Sequence, residues 1–348
     1  MPTKRNALGS DVHERGASQA VRPTMTALVR DTYGWADVLD VRQVERPTIT
    51  GGEVLVRVHA AGLDRGAWHL MTGRPYLMRV AGFGLRRPKN PGLGTELAGV
   101  VEAVGADVTG FAPGDAVFGT GRSSFAEYAS ARPGTLTRMP ANLTFEQAAA
   151  LPVSGVTALQ ALRDQGRIQS GQRVLIIGAS GGVGTLAVQL AKAFGAQVTG
   201  VCSTSKTDLV RGLGADHVID YTVGDLSDDT CRYDLVLDIG GNRPLSTLRR
   251  RLTPTGTLVF VGGEGGGRWT GGLDRQLWAW ARSPFVGQRL GTPWVATANS
   301  TDLDTLRTVI EDGAVTPALD RVCGLSDIPD AMRDLEAGRV RGKVVVAP

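Results

Sequence analysis

The residues Gly178-Ala179-Ser180-Gly181-Gly182-Val183-Gly184 place glycine at intervals that could bind an anion through the backbone alone. In a chain with 47 glycines such a match carries little weight by itself, and its surroundings decide. The preceding run Val174-Leu175-Ile176-Ile177 is wholly apolar, as in a strand buried on both faces. After it, Val183, Ala187, Leu190, Ala191 and Phe194 fall on one face of a helix that Gly195 ends. A strand that turns on glycine into a helix leaves free backbone N–H groups and the positive helix end facing one point, which suits a pyrophosphate. Gly178 then permits the tight turn, Gly181 and Gly182 let the backbone approach phosphates beside Ser180 and Val183, and Gly184 lets the helix pack on the strand. A merely tight connection is the competing explanation.

In sites that prefer NAD, an acidic residue about 20 positions past the turn holds the ribose 2′-hydroxyl. Here that place reads Val201-Cys202-Ser203-Thr204-Ser205-Lys206. It has no carboxylate to repel a 2′-phosphate, while its hydroxyls and Lys206 could bind one, so NADPH is favoured. Ser203 and Ser205 could also cap the next helix.

The elements that must position these residues alternate regularly. Strands at residues 198–202, 217–220, 235–239 and 257–261 interleave with helices at 206–213 and 244–252, the order of a parallel, doubly wound α/β sheet. Residues 145–162 read as a helix interrupted near Pro152. Before residue 145 the pattern is β: Val54, Val56 and Val58 alternate, and Pro113-Gly114-Asp115 marks a turn. The stretch 71–91, rich in Gly, Pro and Arg, has the length of a functional loop. Beyond Pro293, helices are expected at 303–313 and 329–338 and a closing strand at 343–346.

With 348 residues, 42% hydrophobic and 21% charged, the chain reads as two ordinary globular domains. Its net charge is +4, but the 38 basic residues are scattered, which argues against nucleic acid. Arg249-Arg250-Arg251 reads as a solvated helix end. Residues 1–24 are polar, without the apolar run of a signal peptide, and are expected to be a disordered tail or leader; no later segment has the length and apolarity of a membrane span. Cys202, Cys231 and Cys323 are dispersed, which fits a reducing cytoplasm.

The glycine turn, the segment Val153-Ser154-Gly155-Val156-Thr157-Ala158-Leu159 and the tail Arg341-Gly342-Lys343-Val344-Val345-Val346 together resemble the medium-chain dehydrogenase/reductase superfamily. The chain is most similar to its zinc-independent, quinone oxidoreductase-like branch. Ala60-Ala61-Gly62-Leu63-Asp64, Gly94-Thr95-Glu96-Leu97-Ala98-Gly99 and Gly214-Ala215-Asp216-His217-Val218-Ile219-Asp220-Tyr221 add to the match, which runs from about Met25 to Pro348. The resemblance implies a Rossmann cofactor domain at residues 149–295 and a mostly β, GroES-like catalytic domain at 25–148 and 296–348. It implies Thr157 near the nicotinamide, Ser203, Lys206 and Tyr221 around the 2′-phosphate, and Gly240, Val261 and Gly262 along the cofactor. It also implies Lys343 reaching in from the tail, and a homodimer.

Zinc-dependent relatives carry Cys near Asp64 and Gly-His-Glu where this chain has Gly94-Thr95-Glu96, so no metal is expected. Without a Lewis acid, conjugated acceptors suit hydride transfer best. Relatives usually have Asn in place of Asp64, which is either a proton shuttle or a loop residue holding backbone amides. Tyr76 is either a proton donor or a packing aromatic. Trp68 and His69 read as packing, and Arg65 and Arg79 could meet an anionic group. The expected substrate is a quinone or an α,β-unsaturated carbonyl, of bulky kind if loop 71–91 and Trp269, Trp278, Trp280 and Trp294 line the cleft; those tryptophans could instead pack a helix or a dimer surface. Two other functions compete: a protein that keeps NADPH as a structural or sensing ligand, and a non-reductive tailoring enzyme on the same fold.

Overall fold

The computed structural model describes residues 23–226, 229–241, 243–263, 266–291 and 294–348. The expected leader lies outside them except for its last two residues, of which Thr24 opens a strand. That strand, β1 (Thr24–Val29), pairs antiparallel with β2 (Asp40–Glu45). β3 (Val54–Leu63) leads into α1 (Arg65–Thr72) and the single turn α2 (Tyr76–Met78). β4 (Glu96–Val104), β5 (Ala116–Arg122) and β6 (Tyr128–Arg138) follow. β3 pairs with both β4 and β6, so these four strands close on themselves. Val54, Val56 and Val58 point inward, against Leu97, Val101 and Val117, as their alternation requires.

Pro152 divides the expected helix at 145–162 into α3 (Phe145–Ala149) and α4 (Pro152–Gln160). It stands at the first position of α4, where its missing N–H leaves no bond unmade. A reciprocal cap between Thr144 and Gln147 starts α3.

The second sheet is wholly parallel. It contains β7 (Arg173–Ile177), β8 (Gln197–Cys202), β9 (His217–Asp220), β10 (Tyr233–Asp238), β11 (Leu252–Phe260) and β12 (Arg289–Leu290), in the order β12-β11-β10-β7-β8-β9. α5 (Gly182–Ala193), α6 (Thr207–Gly212), α7 (Leu245–Arg251) and α8 (Leu273–Arg282) connect them. Strand order reverses between β7 and β10, and ligands of such sheets bind outside the strand ends at that reversal.

α9 (Ser300–Glu311), β13 (Leu319–Cys323) and α10 (Ile328–Glu336) lead to β14 (Lys343–Val346). β14 pairs with β3, so the chain's end returns to the first sheet. Trp278 and Trp280, expected to line the cleft or to pack a helix or a dimer surface, lie on α8, whose pattern is inverted. Gln276 and Ala279 are buried, whereas Leu277, Trp278 and Trp280 are 53%, 66% and 53% exposed.

Candidate active site

The glycine turn leaves β7 at the reversal point. Gly178 has φ 88°, a conformation that disfavours any side chain. A Cβ on Gly184 would stand 2.0 Å from the Gly178 carbonyl, so α5 packs closely on the turn it leaves. Gly181 is different: a Cβ there would meet nothing nearer than 3.8 Å. Gly181 is also the N-cap of α5, and among the described residues no side chain caps that helix. Uncapped amides at the positive end of a twelve-residue helix, beside open space, can hold a pyrophosphate. Gly182 departs from the expectation that it faces phosphates. A Cβ there would lie 3.1 Å from Ser154 Oγ and 3.3 Å from Lys343 Cδ, so its missing side chain admits protein.

The neighbouring strand ends complete one wall. Ile239 and Gly240 both donate to the Ile177 carbonyl, and Val261 and Gly262 to that of Asp238, which sets Gly178, Gly240 and Gly262 side by side. A Cβ on Gly262 would come within 2.0 Å of the Ile239 carbonyl. Below them Asp238 is fully buried, paired with Arg275 at 2.7 Å and accepting from the Gly241 amide at 3.1 Å. Burial pushes its carboxyl up, and Arg275 pulls it back. Neither residue stood out in the sequence, although an Asp ending the apolar run Leu235-Val236-Leu237 was a signal to follow.

At the ribose end, pairing of Cys202 with Asp220 brings Ser203 and the half-exposed Tyr221 together. Two expectations change here. Lys206 Nζ donates to the carbonyls of Gly338 at 2.6 Å and Val340 at 2.7 Å. Its ammonium, which burial makes easier to deprotonate, thus tethers the C-terminal segment and is not free for a 2′-phosphate. A carboxylate also stands next to the end of β8 after all. Asp220 comes from the adjacent strand, with its oxygens engaged by Thr222 and, through hydrogen bonds that hold it below the usual carboxylate range, by Thr204. Ser203 makes no side-chain cap.

Asp64 caps α1: its Oδ1 accepts from the Ala67 amide at 2.7 Å, as the backbone-holding alternative expected. Oδ2 is buried without a partner among the described residues. Tyr76 lies beyond the other end of α1. Its amide donates to the Arg268 carbonyl at 2.9 Å and its ring meets Trp269 edge-on at 5.3 Å, so loop and second sheet are fastened together there. Its hydroxyl has no partner among the described residues. Arg79 is spent on the carbonyls of Gly73 and Thr72. Trp68 packs against His69 and Trp35, and Trp294 donates to the Phe260 carbonyl. Thr157, on α4, donates to the Val153 carbonyl at 2.6 Å.

Comparison with known proteins decides what this arrangement belongs to. Residues 50–156 match the alcohol dehydrogenase GroES-like domain, and residues 213–346 the zinc-binding dehydrogenase domain. A mitochondrial NAD(P)H oxidoreductase of Mus musculus is 32% identical over 92% of this chain and 89% of its own. The 2-methylene-furan-3-one reductase of Solanum lycopersicum is 32% identical over 96% and 82%. The quinone oxidoreductase of Coxiella burnetii superposes with a TM-score of 0.80 at 28% identity, over 94% of this chain and 100% of that one. The chain belongs to the medium-chain dehydrogenase/reductase superfamily.

Within the medium-chain superfamily it falls in the zinc-independent, quinone oxidoreductase-like branch, and it is an oxidoreductase that uses a nicotinamide cofactor. Its two bodies are the GroES-like and Rossmann domains of that superfamily. The residues present do not fit the metal named in the second match. Asp64 is committed to capping, Thr95 follows Gly94, and Glu96 is paired with Lys343. Among the described residues no three His, Cys, Asp or Glu side chains converge on one point, and no helix is long and apolar enough to cross a membrane. The cytoplasmic expectation gains nothing from the mouse relative, whose name places that protein in mitochondria.

Proposed function

We propose that this chain is an NADPH-dependent reductase of quinones or α,β-unsaturated carbonyls with bulky, apolar bodies. The observation that carries the reading is the open, uncapped cradle at Gly181, set at the sheet's reversal point. When bound, the reduced nicotinamide supplies hydride to the β-carbon of the acceptor. The amides of Val183 and Gly184 bind pyrophosphate, while Ile239, Gly240, Val261 and Gly262 line the dinucleotide. The Tyr76 hydroxyl donates a hydrogen bond, then a proton, to the acceptor's oxygen. Conjugation in the acceptor spreads the negative charge that develops on its oxygen. The names of the tomato and Coxiella proteins, a 2-methylene-furan-3-one reductase and a quinone oxidoreductase, support this class. Leu77, Val80, Phe83 and Trp269 are 50%, 71%, 46% and 71% exposed around the Tyr76 loop and support a large apolar substrate. The test is NADPH consumption with a panel of quinones and enones. Tight NADPH binding without turnover of any acceptor would replace the reductase by a binding protein.

NADPH preference is assigned to Ser203, Tyr221 and Arg341. Arg341 is exposed, has no ion pair among the described residues, and lies close enough to Lys206 for their charges to oppose each other. Arg341→Glu should weaken NADPH at least about tenfold more than NADH, since a charge-assisted contact with the 2′-phosphate is lost. Equal losses for both cofactors would remove Arg341 from that role. The homodimer is proposed through the β12 edge, where the apolar Leu277, Trp278 and Trp280 of α8 lack cover. Sedimentation should give twice the chain mass, and a Trp278→Glu/Trp280→Glu variant the single mass; dimers of that variant would rule the face out.

A further inference from the structure

Glu96, the first residue of β4, is fully buried, and the groups around it belong to three other parts of the chain. Its Oε1 accepts from the amides of Val153 at 2.8 Å and Ser154 at 3.4 Å. Those are free N–H groups of the first turn of α4, where negative charge is favoured. Its Oε2 pairs with the Lys343 ammonium, 4% exposed, which also donates to Ser154 Oγ at 3.0 Å. Burial pushes the Glu96 carboxyl up, Lys343 pulls it down, and Asp64 pushes it up again.

Glycines make room on both sides. A Cβ on Gly62 of β3 would fall 2.5 Å from Glu96 Oε2, and one on Gly182 would meet Lys343 Cδ and Ser154 Oγ. One residue before Lys343, the Gly342 amide donates to the Ser180 carbonyl at 2.8 Å, and Gly342 forms an isolated parallel bridge with Gly181. The glycine turn therefore has a strand-like partner from the chain's end. One buried ion pair, 247 positions apart in sequence by the residue numbers 343 − 96, fixes where that partner begins.

We propose that Glu96 is a positioning residue for cofactor binding: through Lys343 and Ser154 it latches the start of β14 and the first turn of α4 against the glycine turn. It thereby sets the spacing between the Gly181 cradle and Thr157, four elements meeting at one carboxylate. The inference rests on the dinucleotide reading above. Glu96 touches no reacting atom. Its effect is exerted before chemistry, on how much of the ligand-free population already has the cradle in its binding shape.

Glu96→Gln keeps an oxygen for the α4 amides but removes the anion facing Lys343; Lys343→Met keeps the stem and removes the cation. Each should raise the NADPH dissociation constant about tenfold, the worth of a charge-assisted bond. The double variant should lose little more than either single one, because both break the same interaction. In Glu96→Gln the loss should appear in KM for the cofactor and not in kcat, and Lys343→Arg should regain most of the affinity. In the ligand-free proteins the Gly342 amide should exchange hydrogen faster in both variants. Ser154→Ala removes a single hydrogen bond, so it tests the latch with little threat to folding, and it should raise Gly342 exchange and the dissociation constant about threefold. Unchanged affinity and unchanged Gly342 exchange in these variants would overturn the latch. Failure of the wild-type chain to bind either dinucleotide would instead overturn the functional reading, while faster Gly342 exchange in the variants would still report the latch.

Discussion

Gly181→Asp removes dinucleotide binding and leaves the protein folded. The position has φ −88° and ψ 177°, an extended conformation open to any residue, and a new Cβ meets no atom nearer than 3.8 Å. Asp is moreover a favourable N-cap, so α5 should gain a few tenths of a kcal/mol from a carboxylate bonded to its free amides. Those amides are the ones assigned to the pyrophosphate. A fixed negative charge on them both occupies the donors and repels the ligand. Affinity for NADPH and NADH should fall alike by at least roughly a hundredfold, about 2.7 kcal/mol, with the melting temperature unchanged or slightly raised. Binding that survives in a folded variant would mean the phosphates lie elsewhere.

Arg275→Met should produce the largest loss of stability. Asp238 is fully buried below the strand ends, and Arg275 is the cation that compensates it. Removing one partner of a buried pair costs about 3–5 kcal/mol, because the remaining charge is stranded. Arg275 also donates to the Arg243 carbonyl at 2.7 Å and covers the Phe260 ring. The loss should depend on pH with a definite sign. Burial raises the Asp238 carboxyl, and without Arg275 only the Gly241 amide and the weaker charge of Arg243 remain to pull it back. A carboxyl whose folded pKa exceeds its unfolded value holds its proton longer when folded. Stability from it is fullest below the unfolded value, about 3.9, and is lost as pH rises through the folded one. The deficit against wild type should therefore be greatest near pH 8 and shrink by about pH 5, read from urea midpoints. A deficit equal at both pH values would mean that lost packing, not a stranded charge, explains it. Asp238→Asn/Arg275→Met should recover most of the loss.

Much of the fold was legible because the deciding signals were local. The apolar run at 174–177, the glycines and the amphipathic face after them lie within about twenty residues, and the φ of Gly178 and the close approach at Gly184 follow from that pattern. What was not legible depended on distant partners. Lys206 was read as a free cation, yet the carbonyls that hold it belong to residues 338 and 340. The end of β8 read as free of carboxylate, but β9 sets Asp220 beside it. Gly182 was assigned to phosphate, and the residues that fill its space are Ser154 and Lys343. α8 escaped because its exposed face is the apolar one. Asp64 kept one oxygen on the backbone and left the other unpartnered, which accommodates both readings of it.

The central claim is that the cradle at Gly181 serves hydride transfer to a conjugated acceptor. It is tested most directly with NADPH deuterated at nicotinamide C4, prepared separately as each of its two epimers, and a cyclic enone. One epimer should place deuterium on the β-carbon of the saturated product, the other should place none, and Gly181→Asp should yield no labelled product from either. Enone reduced without deuterium at the β-carbon, or NADPH bound with no acceptor reduced at all, would contradict the account.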